Sequence, residues 1–134
     1  MLLGIFFVQT IFYIYKNIMY YCGMKNQLYK GSLQTIILKM LAEQGKMYGY
    51  QLTQAVKELT NGELKITEGA LYPTLHKMEE KGILTSETQE FNGRLRKYYL
   101  ITEKGKQEKV NKLEELESFM EQMKSLLNLK PSGI

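Results

Sequence analysis

The sequence predicts a mainly α-helical domain with one small β-hairpin, followed by a long C-terminal helix. Three observations predict it. Between residues 33 and 84, apolar side chains recur at helical spacing in three blocks, closed by Gly45, Gly62 and Gly82. Residues 85–101 change to the alternation of strands around Asn92-Gly93. From residue 102 onward the helical period returns and holds a heptad-like spacing.

The N-terminal stretch, residues 1–23, is almost wholly aliphatic or aromatic and carries one charge, Lys16. It admits three readings. A membrane span needs about 20 mostly apolar residues, but Gln9, Thr10, Lys16 and Asn17 interrupt this run. A signal peptide would show a basic residue ahead of the apolar run and a small-residue cleavage pattern after it, and neither is present. The abrupt change of composition at Met24 favours the third reading, a translated upstream stretch ahead of a protein that starts there. The expected organisation is an apolar extension over 1–23, a folded domain of helices and a hairpin over 24–101 and a separate long helix over 102–130.

The first helix follows Ser32, a candidate N-cap, with Leu33, Ile36, Ile37, Met40 and Leu41 on one face. Tyr48, Leu52, Ala55, Val56 and Leu59 predict the second, which ends at Asn61-Gly62. In the third, Leu71, Leu75 and Met78 form one buried stripe, with Thr67 as cap and Lys81-Gly82 as end. Pro73 would then be the sixth helical position and would remove one backbone hydrogen bond. The expectation is a later start near Gly69, or an irregular opening turn.

Asn-Gly favours a type I′ hairpin because both turn residues need positive φ. Alternation on the return strand groups Leu95, Lys97, Tyr99 and Ile101 on one face, with Tyr99 and Ile101 expected to pack inward at the hairpin base. Arg96, Tyr98 and Leu100 share the other. The hairpin tip is expected to carry Arg94, Arg96 and Lys97 with Glu90 as the only nearby acid. Thr102 caps the last helix, and Glu103 suits the positive end of its dipole. Leu113, Leu116, Met120, Met123 and Leu127 then form a seam, widened by Phe119 and Leu126, and Pro131 and Gly133 end the ordered chain. Two heptads do not sustain an isolated coiled coil, so this helix is expected to pair across a dimer while resting on its own domain.

Three helices, a hairpin and a terminal helix are the element order of a winged helix-turn-helix, in which the third helix enters the DNA major groove and the wing touches the backbone. Composition narrows the function. One cysteine, Cys22, and one histidine, His76, exclude an internal disulfide and a cysteine-based zinc site and argue against Cys/His or Ser/His/Asp catalysis; carboxylate-only catalysis stays open, though the acidic residues sit mostly in solvated helix patterns. No catalytic, metal or cofactor site is expected, and the chain is not expected to be an enzyme. The net charge of +4 suits a polyanionic partner. Opposite the buried stripe of the third helix stand Gly69, which permits close backbone approach, and the donors Tyr72, Thr74, His76 and Lys77. Arg94, Arg96 and Lys97 would supply sequence-independent attraction to phosphate.

At these residues the chain resembles the PadR family of bacterial transcriptional regulators. The resemblance lies in MYGYQL (47–52), ITEGALYPTLHKMEEKGIL (66–84) and GRLRKYYLITEKG (93–105), which follow the family's hGYxL, LYPxLxxLexxG and RKYYxLTxxG patterns. It covers residues 28 to about 127, and residues 1–23 depart from it. The single C-terminal helix is similar to that of the smaller subfamily. The resemblance implies a cytoplasmic homodimeric repressor acting on a palindromic operator in double-stranded DNA. It implies DNA contacts at Tyr50, Gln51, Thr67, Glu68, Gly69, Tyr72, Thr74, His76, Lys77, Arg94, Arg96 and Lys97, and dimerisation through Leu113, Leu116, Phe119, Met120, Met123 and Leu127. It also implies a small aromatic effector, since members include sensors of phenolic acids and planar drugs. Some of those use an interface tryptophan, and this chain has none. The competing function is a winged helix that binds another protein through its terminal helix, without DNA; such a wing has no need of three adjacent cations. Membrane-tethered regulation rests on residues 1–23 alone.

Overall fold

The computed structural model describes residue 4, residues 8–14 and residues 29–129. Most of the apolar extension, Cys22, Met24, Pro131 and Gly133 lie outside the described residues. The chain divides into two compact units, Met1–Gly31 and Ser32–Ile134. In the first, residues 8–14 are helical and exposed. No helix among the described residues is long and apolar enough to cross a membrane.

The second unit runs α1 (Leu33–Gln44), β1 (Met47–Tyr48), α2 (Gly49–Leu59), α3 (Glu68–Glu80), β2 (Leu84–Phe91), β3 (Arg94–Ile101) and α4 (Glu103–Leu127). Its core is built from Ile37, Leu38 and Leu41 of α1, Leu52 of α2, Leu71, Leu75 and Met78 of α3, and Leu84 of β2, all essentially water-free. α1 is the central helix, touched by α2, α3, β3 and α4. That position explains why burial around it is wider than the predicted stripe: Leu38 and Thr35 are buried too, while Ile36 is only half-buried. Ser32 stands at its N-terminus but makes no side-chain cap hydrogen bond.

The strands form one antiparallel sheet in the order β1-β3-β2. Asn92 and Gly93 adopt φ of 50° and 75°, the type I′ geometry expected of this pair. This turn sets the register Phe91↔Arg94, Gln89↔Arg96 and Leu84↔Ile101. Tyr99 is buried at the hairpin base and Ile101 half-buried. The third strand departs from the sequence reading. Met47 and Tyr48 pair with Tyr99 and Tyr98, so Tyr48 belongs to the sheet and not to the second helix. At the other end of α2, Leu59 is 67% exposed rather than part of the buried stripe, because Leu52 and Val56 complete the packing before the chain turns at Asn61 and Gly62.

α3 also corrects an expectation. It neither starts late nor opens irregularly: the Thr67 hydroxyl accepts the Ala70 N–H at 3.3 Å, and the helix runs unbroken through Pro73. The acceptor that Pro73 leaves unserved is the carbonyl four residues earlier, on exposed Gly69, where water can reach it. At the far end Gly82, φ 74°, turns the chain so that Ile83 N–H reaches the Met78 carbonyl at 2.9 Å.

Candidate nucleic-acid interface

The stripe Leu71-Leu75-Met78 fixes which side of α3 faces outward. At 100° per residue, Gly69, Pro73 and His76 then lie opposite the core, with Tyr72 and Lys77 on the two flanks. All five are exposed. Thr67 caps the helix and Glu68 follows in its first turn, both exposed. His76 Nε2 lies 3.2 Å from Glu80 Oε1 one turn on. Thr74 does not join this outer face. It sits at the edge of the buried stripe, half-buried, and its hydroxyl donates to the Ala70 carbonyl at 2.8 Å.

Tyr72 lies across Gly49 at the start of α2. A Cβ at Gly49 would meet Tyr72 Oη at 2.7 Å and Cζ at 2.9 Å, so the Tyr72 ring occupies the space that a side chain at Gly49 would take. The residues on either side of Gly49 lead elsewhere. Tyr50 is 58% exposed, and its ring stacks with Tyr48 at 6.5 Å. Tyr48 in turn meets Tyr98 edge-on at 5.4 Å. Gln51 is exposed, but its Oε1 accepts the Tyr48 N–H at 3.1 Å, which leaves the amide NH₂ for other partners. Tyr50 also borders a cleft of about 270 Å³ with Thr53, Gln54 and Lys57 of α2 and with Lys65, Ile66 and Glu68 at the entry to α3. Helical spacing puts Tyr50, Gln54 and Lys57 on one face of α2, but nothing local in the sequence places Lys65 across from them.

The three wing cations have different surroundings. Arg94 is exposed beside the turn and forms no ion pair among the described residues. Arg96 is half-buried, its guanidinium lying 4.7 Å from the Tyr48 ring centre and 4.5 Å from that of Phe91. Lys97 is not at a free tip. Its ammonium pairs with Glu79 Oε2 of α3 at 3.0 Å, and Ser86 donates to Glu79 Oε1 at 2.9 Å. Lys97 shares the strand face of buried Tyr99, so its stem runs toward α3 and its charge meets the acid waiting there. The Lys97 hydrogen bond holds the Glu79 carboxyl below the usual carboxylate range, against the opposing pull of partial burial. Glu79 likewise raises Lys97. On the other sheet face, Lys46 pairs with Glu87 at 2.7 Å, lowers that carboxyl and sits over the Tyr98 ring.

α4 begins on the end of α3. The Thr102 hydroxyl lies 2.7 Å from the Gly82 carbonyl oxygen and accepts the Gly105 N–H at 3.0 Å, and Lys104 donates to the Lys81 carbonyl at 2.7 Å. Gly105 is buried against Ile83 and Ile101. Further along, Leu113, Leu116 and Met123 are half-buried, while Phe119, Met120, Leu126 and Leu127 are 50–73% exposed. Among the described residues, no group of three metal-ligating side chains comes together.

Known proteins share this fold and much of this sequence pattern. Residues 37–111, more than half of the chain, match the model of the transcriptional regulator PadR-like family. An uncharacterized protein X of Lysinibacillus sphaericus is 30% identical over 111 residues, which cover 82% of this chain and 97% of that one. The solved structure of a transcriptional regulator from Clostridium thermocellum superposes with a TM-score of 0.69 at 30% identity, covering 74% of this chain and 93% of that chain. Bacillus subtilis PadR, solved in complex with operator DNA, matches with a TM-score of 0.54 at 30% identity over 60% of this chain and 46% of its own. The chain belongs to the PadR-like family of transcriptional regulators.

Proposed function

We propose that this regulator is a homodimer that binds double-stranded operator DNA through the outer face of α3 and the wing, and represses transcription until a signal releases it. The observation that carries the reading is the division of α3. Leu71, Leu75 and Met78 are fully buried, and the opposite face presents Gly69, Tyr72, Pro73, His76 and Lys77 to solvent beside a hairpin bearing Arg94 and Arg96. Buried hydrophobics fix the helix on a rigid frame, while small and hydrogen-bonding groups face a groove-sized partner. The similarity to a PadR solved on operator DNA supports the same reading.

Thr67, Glu68 and Gly69 would meet the DNA at the start of α3, with Tyr72, His76 and Lys77 further along it. Tyr50 and Gln51 would approach a neighbouring phosphate. Arg94 and Arg96 would flank the groove, whereas Lys97 acts through its tie to Glu79 and Thr74 through the helix backbone. The exposed Phe119, Met120 and Leu127, continuous with Leu113, Leu116 and Met123, supply an apolar seam for a second copy. Two copies related by a two-fold axis would read a palindrome. A small aromatic molecule is the effector we favour.

The test is selection of duplexes from a random-sequence library by the purified protein, followed by gel shift in rising salt. A recovered palindrome, bound with an affinity that falls steeply with salt, supports the reading. Recovery of no preferred sequence, with Arg94→Ala/Arg96→Ala leaving affinity and salt slope unchanged, defeats it.

A further inference from the structure

On one face of the wing, a charged side chain is held between two aromatic rings. The Arg96 guanidinium lies 4.5 Å from the centre of Phe91 and 4.7 Å from that of Tyr48. Both distances fall well inside cation–π range. The rings come from different elements. Phe91 ends β2, diagonal to Arg96 across the hairpin register, and Tyr48 arrives on β1, paired with Tyr98 two residues along β3.

Phe91 is 50% exposed. A large apolar side chain half in water beside a hairpin turn contributes little to the core. No carboxylate pairs with Arg96 among the described residues, since Glu87 is engaged by Lys46 and Gln89. Among the described residues the Arg96 guanidinium forms neither an ion pair nor a hydrogen bond, so its N–H donors stay available to an anion. An arginine in free solution loses rotamer freedom when it docks on a phosphate, and one already held between rings loses less.

We propose that Phe91 and Tyr48 are positioning residues that pre-organise Arg96 to donate to the anionic backbone of duplex DNA. This rests on the DNA-binding reading above and adds to it that the aromatic clamp, which carries no charge, sets the strength of the wing contact. A clamp of this kind changes affinity without changing the number of phosphates neutralised.

The experiment measures binding of the full-length chain to a fluorescein-labelled duplex selected by the wild-type protein, by anisotropy across a salt series. Phe91→Leu keeps the apolar bulk and removes the ring face. It should weaken binding about two- to fivefold per wing, with the salt slope and the melting temperature held. Phe91→Tyr restores a ring and should bind as wild type. Arg96→Ala should both weaken binding and reduce the slope by about 0.9 for each phosphate it no longer neutralises. The inference is overturned if Phe91→Leu binds as wild type while Arg96→Ala weakens, a result that leaves the DNA-binding reading intact. It is also overturned if Phe91→Leu lowers the slope or the melting temperature as much as the affinity, which would make the ring a structural support. Failure of the wild-type chain to select any duplex removes the DNA-binding reading and this inference with it.

Discussion

Two glycines in the first turns of helices should respond to alanine with opposite signs. Gly69 and Gly105 each follow a threonine cap, Thr67 and Thr102. Helix propensity alone favours alanine at both by about 0.5 kcal/mol, near the low end because first-turn positions gain least. At Gly69 nothing lies within 4 Å of an added Cβ, so that gain should stand. At Gly105 the Cβ would collide with the Ile83 carbonyl oxygen and lie 2.8 Å from Ile101 Cγ1 and 3.2 Å from the Ile83 carbonyl carbon. The Ile83 carbonyl cannot swing aside freely, because it accepts the Thr102 N–H at 3.1 Å and lies 2.9 Å from the Thr102 hydroxyl.

Overpacking against fixed backbone costs about 1–3 kcal/mol. Set against the propensity gain, Gly105→Ala should destabilise by about 1–2 kcal/mol, a fall in melting temperature of roughly 5–15 °C for a domain of this size. Thermal unfolding followed by circular dichroism, at matched protein concentration, measures it. A Gly105→Ala protein that melts at or above wild type would refute the claim that α4 is seated on the backbone of Ile83. Gly69→Ala carries a second readout. Its Cβ lies on the outer face of α3, so under the DNA-binding reading the variant should melt slightly higher and yet bind the selected duplex more weakly.

Glu79→Gln should free the Lys97 ammonium and steepen the salt dependence of DNA binding, with less than about 1 kcal/mol lost in stability because the pair is part-exposed. The sign with pH follows from the shifts. Glu79 is lowered, so its contribution is present above the unfolded carboxylate pKa and lost as pH falls through the folded value; Lys97 is raised, so its contribution survives until pH rises through its own folded value. The tie is therefore intact around neutrality, and Glu79→Gln should flatten the acid limb of a stability–pH profile. Gly49→Ala should push the exposed Tyr72 ring aside at a cost of less than about 1 kcal/mol, and thermal unfolding of Gly49→Ala, Tyr72→Ala and the double variant measures that coupling. Met120→Glu should shift the sedimenting species from dimer to monomer at micromolar concentration, and unchanged sedimentation would count against the α4 seam.

Elements with a sustained period were legible in the sequence. The apolar stripe of α3 gave the buried face residue for residue, and Asn92-Gly93 gave the turn and hence the register. β1 was not legible, because two residues carry no period and Tyr48 also fits the i, i+4 pattern with Leu52. Leu59 fits its stripe but stands beyond the last turn that any neighbour covers. The partner of Lys97, expected to be no acid nearer than Glu90, was missed for a different reason. Strand alternation already grouped Lys97 with inward-packing Tyr99, but the acid that receives it, Glu79, comes from another element. Phe91 could have been placed beside Arg96 from the hairpin register alone. Tyr48 could not, since its arrival depends on β1. The site is thus readable where one element forms it and hidden where two elements meet.

Those meetings constrain what α3 can do. It is tied at three points along its length: Tyr72 lies on Gly49 of α2, Glu79 pairs with Lys97 and Ser86 of the wing, and the Lys81–Ile83 carbonyls receive Thr102 and Lys104 of α4. The outer face is therefore carried by a frame, where an unsupported loop would lose orientational entropy on every binding event. The third tie has a further consequence in the proposed dimer. Because α4 would supply the seam and contacts the end of α3, the angle between the two copies of α4 would set the distance between the two copies of α3. Half-sites on one face of B-DNA lie about 34–36 Å apart, one helical turn. A rotation at the seam too small to disturb either core would move α3 away from that spacing, and a ligand that favours the rotated seam would release DNA without touching the DNA-facing residues.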